Sequence, residues 1–353
     1  MERFTKAKSM VFPREVLAGH NVLPQVVDMC KRFNFGGIGV LVTGPTTGPV
    51  AAEKVSDELT EAKYEIHTIE LTAATREHVD ETKALVKEVK AKFLLGVGGG
   101  SKIDIAKLAG AELDLPFMSI PTSASHDGIA SPSASIVDDK TPHSIEAVMP
   151  LGILADTHII SKAPYRLLAS GCADVLSNLT AIRDWELAVR LKNEDYSSTA
   201  SILAKISAET IMRSASLIKP MIEESVWIAV KPILSSGISM SMAGSSRPTS
   251  GSEHMFSHAL VQIAPGKALH GEQCGVGCIM MMYLHGGNWE EIRDALKEMK
   301  APTTAKELGV SKTDIIRALT QAHTIRPDRY TILGDNGLTP EAAENLAKLT
   351  GVI

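Results

Sequence analysis

What most constrains this chain is a change of hydrophobic period near Pro164. Before it, apolar runs of strand length alternate with amphipathic helical stretches; after it, apolar residues recur at helical spacing alone. Residues 39–44 read as a buried strand entering a Gly/Pro turn, and residues 51–62 as the helix that follows. A second strand over 64–71 and a charged amphipathic helix over 77–91 come next, then strands at 93–97 and 116–121. Strands alternating with helices imply a parallel sheet with crossover helices. Residues 133–139 and 151–156 read as further short strands, expected as a hairpin at the sheet edge. From Tyr165 to Ile353 the breaks fall at Gly, Pro, Ser and Asn clusters between helical stretches. The expected architecture is therefore an α/β domain over residues 1–163 followed by an all-helical domain over 164–353.

A length of 353 residues suits two domains better than one core. The net charge of −5, with no Lys/Arg run and no aromatic platform, speaks against nucleic acid as a partner. No apolar stretch follows the charged start at Met1–Lys8, as a signal peptide would require. The longest unbroken apolar run, Cys278–Leu284, is far too short to span a bilayer, so no membrane insertion is expected. Cys30, Cys172, Cys274 and Cys278 show no disulfide framework, as in a reducing compartment. A cytoplasmic protein is expected. A functional reading would make Cys172, Cys274 and Cys278 thiolate ligands of a closed zinc site, but burial as small hydrophobes is the preferred reading.

Two loops end apolar strands. The first is Gly98-Gly99-Gly100-Ser101-Lys102-Ile103-Asp104, a glycine run opening a helix. Glycines let a backbone approach phosphate closely, and free amides at a helix N-terminus supply donors. Ser101 departs from both the Walker loop and the dinucleotide fingerprint, so a tight turn and a phosphate cradle both stay open. The second loop, Thr122-Ser123-Ala124-Ser125-His126-Asp127, runs on to Ser131 and offers hydroxyls and one carboxylate. In an open parallel sheet both loops would face the same crevice.

The helical half carries Glu253-His254, His258 and His270, while Asp174 stands upstream among small and apolar neighbours. Residues four apart share a helix face, so His254 and His258 can converge. A buried carboxylate needs a partner, and imidazoles with one carboxylate are the ligand mix of a catalytic zinc with an open position.

Taken in order, the Gly98–Asp104 turn, the Thr122–Asp127 loop, the Asp174 segment, Glu253-His254 with His258, and His270-Gly271 resemble the sn-glycerol-1-phosphate dehydrogenases. That family shares a superfamily with glycerol dehydrogenase, iron-dependent alcohol dehydrogenases and dehydroquinate synthase. The resemblance implies a Rossmann-like N-terminal domain, a helical C-terminal domain, and a site in the cleft between them. It implies NAD or NADP, one zinc ion per subunit, and interconversion of dihydroxyacetone phosphate and sn-glycerol 1-phosphate for archaeal ether phospholipids. Asp174, His254 and His270 would bind zinc; Asp127, Asp174 and His258 would contact substrate, with Asp174 and His258 catalytic. The turn from Gly98 through Asp104, the stretch Thr122, Ser123, Ala124 and Ser125, and Ser131 would hold the dinucleotide. A homo-oligomer is expected.

Glycerol dehydrogenase would use a similar cleft without a phosphate site. Arg247 and Lys267 lie near the histidines in sequence and are the candidates for gripping a phosphate. His258 as a fourth ligand would look instead like the iron-dependent alcohol dehydrogenases, and spacing does not separate the two roles. A lyase resembling dehydroquinate synthase would need a cluster of basic residues around a carboxylated, phosphorylated substrate, and the helical half shows few candidates near the metal motifs. The choice between NAD and NADP, and among zinc, nickel and iron, stays open.

Overall fold

The computed structural model describes residues 8–138 and 141–353. The start of the chain, residues 1–7, and Asp139 of the expected strand 133–139 lie outside the described residues. The strands are β1 (Glu15–Gly19), β2 (Ile38–Thr43), β3 (Glu65–Glu70), β4 (Phe93–Gly98), β5 (Phe117–Pro121), β6 (Ser133–Asp138), β7 (Thr141–Glu146) and β8 (Gly152–Asp156). Six of them form one sheet in the order β1-β8-β5-β4-β2-β3, with every pair parallel. β4, β5 and β8 are buried along their whole length, because helices cover both faces of a parallel sheet.

The expected edge hairpin is corrected by the pairing. β8 sits inside the parallel sheet between β1 and β5, and β6 pairs antiparallel with β7 in a separate two-stranded sheet. β1, not foreseen from the sequence, is a short edge strand of intermediate burial. Its alternation is too brief to stand out.

β2 leads to β3 on one side, and the chain then crosses back to β4 on the other. The loops after β2 and β4 therefore meet at a switch point, where open α/β sheets bind ligands. The helix Gly100–Leu113 starts there and is buried along most of its length. One apolar core lies on the sheet face of Leu41, Leu95 and Val97. The core on the other face, with Val40, Leu94 and Ile103, continues without a break into the helical part through Cys172, Ile233 and Met280.

From Tyr165 onward the described residues form helices and turns. The helix Glu223–Ala243 is long and apolar enough to cross a membrane by length and composition. It is a central helix of the fold, with 67% of its most apolar window buried. A search for unbroken apolar runs passes it over because Lys231 and several serines interrupt it.

Candidate active site

Asp174 lies on the helix Tyr165–Leu176 and is 3% exposed. Its Oδ2 accepts a hydrogen bond from the Asp127 amide at 3.0 Å. Its Oδ1 is buried and has no hydrogen-bond partner. Two imidazoles face that orphaned oxygen: His254 Nε2 at 3.7 Å and His270 Nε2 at 3.6 Å.

The histidines come from the helices Ser252–Ile263 and His270–Leu284. The first is anchored at its start by buried Asp184, whose Oδ2 accepts from the Ser252 amide and hydroxyl at 2.7 and 2.6 Å. The second begins with His270 itself, and Gly271 lies so close to the helix carrying Asp174 that a Cβ there would run into the Ser170 carbonyl. Glycine is thus what lets His270 approach Asp174.

The groups behind the imidazoles fix which nitrogen carries the proton. Glu253, fully buried, contacts His254 Nδ1 at 2.9 Å through Oε1. Its carboxylate also accepts from the Gly251 amide at 2.6 Å and the Thr180 hydroxyl at 2.7 Å. An acceptor so placed holds the His254 proton on Nδ1 and leaves a lone pair on Nε2. For His270, Gln273 Nε2 donates to the Ala268 carbonyl, so its Oε1 takes the Ser257 hydroxyl proton at 2.8 Å. The Ser257 oxygen is then the acceptor for His270 Nδ1–H at 3.2 Å, and again Nε2 keeps its lone pair. Two lone pairs and an orphaned carboxylate oxygen face one another. That donor set fits a divalent metal such as zinc.

Cys274 Sγ joins Asp174, His254 and His270 in a group of four ligand atoms within 4.8 Å of one another. Burial raises its thiol pKa well above the ordinary value. His258 is outside that group; its ring packs edge-on to His270 at 6.0 Å between centroids. Four residues on from His254, its ring turns toward the cavity rather than onto Asp174.

Burial and neighbouring charges both act on the titratable groups of the site. Burial pushes the Asp174 carboxyl up to about 6, with nearby Asp127 adding to the shift. Burial also raises Asp127, against the Ser236 hydroxyl that donates to its Oδ2 at 2.7 Å. Burial disfavours the His254 cation, but the Glu253 carboxylate, then Asp174 and Asp127, outweigh it and the pKa rises. Burial, with the His254 and Arg326 charges, lowers His258 to about 3.

A cavity of about 550 Å³ is lined by His254, His258 and His270 together with Asp104, Asp127 and Ser131. The glycine turn and the Thr122–Ser125 stretch meet each other beside it. The Thr122 amide donates to the Gly98 carbonyl at 2.9 Å, and a Cβ on Gly99 would touch Ser123 Oγ at 3.4 Å. Gly100 begins its helix directly under the His126 ring, where a Cβ would collide with Nε2. Ala124 is buried, Ser125 accepts from the Ser170 hydroxyl at 3.1 Å through its carbonyl, and Ser101 accepts from Lys102 Nζ at 2.9 Å. Ile103 packs in the core.

Two expected dinucleotide contacts are already engaged within the protein. The Asp104 carboxylate binds Lys107 Nζ at 2.9 Å and the Ser135 amide at 3.1 Å. Ser131 Oγ closes its own turn with Ser133.

Of the two candidates for gripping a phosphate, Arg247 is 4% exposed and bound by Glu194 and the Tyr330 carbonyl. Lys267 is exposed and lies outside the cavity lining. Residues that sequence reasoning missed are Glu253 as the support of His254, Ser257 and Gln273 behind His270, and Ser236 behind Asp127. Of these, Glu253 alone carried a signal, being adjacent to a candidate ligand.

Residues 17–164 match the family described as iron-containing alcohol dehydrogenase. Among solved structures, a probable glycerol dehydrogenase from Sinorhizobium meliloti superposes with a TM-score of 0.80 at 16% identity, covering 98% of this chain and 100% of that one. A sulfoacetaldehyde reductase from Bifidobacterium kashiwanohense in complex with NAD+ gives 0.75 at 15% identity, covering 98% and 99%. These likenesses show the fold. Among curated proteins, glycerol-1-phosphate dehydrogenase (NAD(P)+) of Methanosarcina mazei is 56% identical over 98% of this chain and 97% of its own length. That of Methanothermobacter thermautotrophicus is 53% identical over 98% and 99%. With relatives this similar across nearly its whole length, the chain belongs to the glycerol-1-phosphate dehydrogenase family of oxidoreductases.

Proposed function

We propose that this protein reduces dihydroxyacetone phosphate to sn-glycerol 1-phosphate with NADH or NADPH, supplying the glycerophosphate backbone of archaeal ether phospholipids. The observation that carries the reading is Asp174 Oδ1, buried without a partner and faced by two imidazole Nε2 atoms. Such an atom calls for a cation, and Asp174, His254 and His270 would hold one zinc ion. Bound there, zinc supplies Lewis-acid polarisation of a carbonyl, and the dinucleotide supplies the hydride. The protein's own part is placement. Asp127, steadied by Ser236, orients a substrate hydroxyl, and His258 contacts the substrate from the cavity wall. The amides opening the helix Gly100–Leu113 and the Thr122–Ser125 stretch receive the dinucleotide phosphates.

On this reading residues 1–163 form the dinucleotide unit and residues 164–353 the metal and substrate unit, in a cytoplasmic enzyme without nucleic-acid or membrane partners. Self-association is part of the proposal, supported by Ile202, Ile206 and Leu217, which are 56%, 55% and 62% exposed.

The test is oxidation of NADH and NADPH by the zinc-loaded protein, with dihydroxyacetone phosphate and dihydroxyacetone compared side by side and the product isomer assigned. The expected result is a strong preference for the phosphorylated ketone and an sn-1 product. Preference for dihydroxyacetone would move the assignment to glycerol dehydrogenase, and no oxidation of either would remove it.

A further inference from the structure

The segment after the helix Lys312–Gln321 brings two arginines to the metal side of the molecule. Arg326 lines the cavity that holds His254, His258 and His270. It also lines an adjoining cavity of about 840 Å³, shared with Arg329, Ser246 and His258. The two guanidiniums converge on a single hydroxyl: Arg326 Nη1 donates to Ser246 Oγ at 3.3 Å and Arg329 Nη2 at 3.0 Å. Arg329 Nη1 also donates to the Ser250 carbonyl.

Arg247, only a few residues from Ser250, takes Glu194 in a two-point ion pair. Arg326 and Arg329 differ: among the described residues neither is in an ion pair with a carboxylate. Asp328 between them favours both cations through space, as Glu194 does for Arg329. Burial nevertheless works against both charges and lowers Arg329 to about 9. Two half-buried cations without a paired anion are costly unless a ligand brings the charge. A guanidinium fork is the side chain suited to phosphate oxygens.

We propose that Arg326 and Arg329 form the subsite that grips the phosphate of a small phosphorylated ketone whose carbonyl end faces His254 and His270. The inference rests on the proposed reduction of dihydroxyacetone phosphate and names what reads its phosphate. Arg326 lines both cavities, so an anion bound there lies on the wall that also carries His258. Ser246 holds the two forks at a common point while leaving their remaining N–H groups for phosphate oxygens.

The experiment uses zinc-loaded Arg326→Met, Arg329→Met and Arg326→Lys. Readouts are kcat and KM for dihydroxyacetone phosphate with NADH and with NADPH, and competition by inorganic phosphate. For the methionine variants, KM for the phosphorylated ketone should rise about 30-fold or more, the low end for removing one partner of a charged pair. Phosphate inhibition should weaken in parallel, and the lysine variant should recover part of both. Dinucleotide affinity should not move. An unchanged KM and an unchanged phosphate inhibition constant would overturn the subsite while leaving the proposed reaction standing. Loss with NADPH but not with NADH would place the grip on the cofactor's 2′-phosphate, which also overturns it. If dihydroxyacetone phosphate proves not to be reduced, arginine-dependent binding of inorganic phosphate to the metal-loaded protein, followed by calorimetry, still supports the subsite. Absence of that binding sinks it.

Discussion

At the residue scale the proposed metal site depends on groups that would never touch the metal. Glu253 sets the His254 tautomer, and its carboxylate is held by the Gly251 amide and the Thr180 hydroxyl. Replacing it by glutamine keeps the shape but removes the charge that favours a proton on Nδ1. We expect Glu253→Gln to weaken metal affinity by about 10–100-fold, as outer-shell partners of metal-ligating histidines generally do. Titration of the metal-free variant against a competing chelator measures this, and an unchanged dissociation constant would reject the role. His258 makes the contrasting case. Spacing alone put His254 and His258 on one face, yet a helix advances by a little more than one turn in four residues. In the fold the second ring falls outside the ligand group. No spacing rule predicts that offset, because it depends on where Asp174 and His270 stand.

At the scale of elements, the site is a meeting of helix ends and strand ends, and small residues and one buried cation control how close they come. Gly271 lets the helix His270–Leu284 lie against the Ser170 carbonyl, and Gly171 does the same against the Ala124 carbonyl. Gly271→Ala should push apart the helices carrying His270 and Asp174, at a cost of about 1–3 kcal/mol from overpacking. A lower Tm together with weaker metal binding is the expected pair of results; a Tm within error of the parent would show that the helices yield without cost. Lys107 acts in the opposite sense, as a tie. Fully buried, its ammonium donates to Asp104 at 2.9 Å and to the Gly128 and Ser133 carbonyls at 2.7 and 2.6 Å. It thereby fastens the helix Gly100–Leu113 to the turn that carries Asp127. Lys107→Met leaves Asp104 buried without its cation, a loss of about 3–5 kcal/mol for a broken buried pair. Denaturant unfolding measures it, and a loss below 1 kcal/mol would show that Asp104 finds another partner. The strands that frame these contacts were legible because β2, β4 and β5 are continuous apolar runs, as a doubly covered sheet requires. The misplaced β8 and the unforeseen β1 were not, since short strands carry no mark of which neighbour they pair with. Arg326 and Arg329 were hidden for a different reason. They lie more than fifty residues beyond the last histidine of the set, on an irregular segment, and only the fold returns them to the cavity.

At the scale of the whole molecule, the proposed metal ligands and the glycine turn belong to different parts of one continuous core. Asp174, His254 and His270 come from three separate helices, so an unfolded chain offers no preformed site. Any metal bound in the native state must then raise the free energy of unfolding by mass action, by about 2.7 kcal/mol at a free metal concentration 100 times Kd. For a chain of 353 residues, that corresponds to a Tm increase of no more than a few degrees. The glycine turn rests on β4, β5 and the His126 ring rather than on the proposed metal ligands. Chelation should therefore remove the stability increment and the turnover together, while NADH binding, followed by its fluorescence, survives within about a factor of three, or under 1 kcal/mol. His270→Ala should behave as the chelated protein does and show no Tm response to added zinc. If that variant still gains the full zinc-dependent increment, the native metal sits elsewhere; His20, His158 and Glu223, which also bring ligand atoms within 4.8 Å of one another, would be the next place to look.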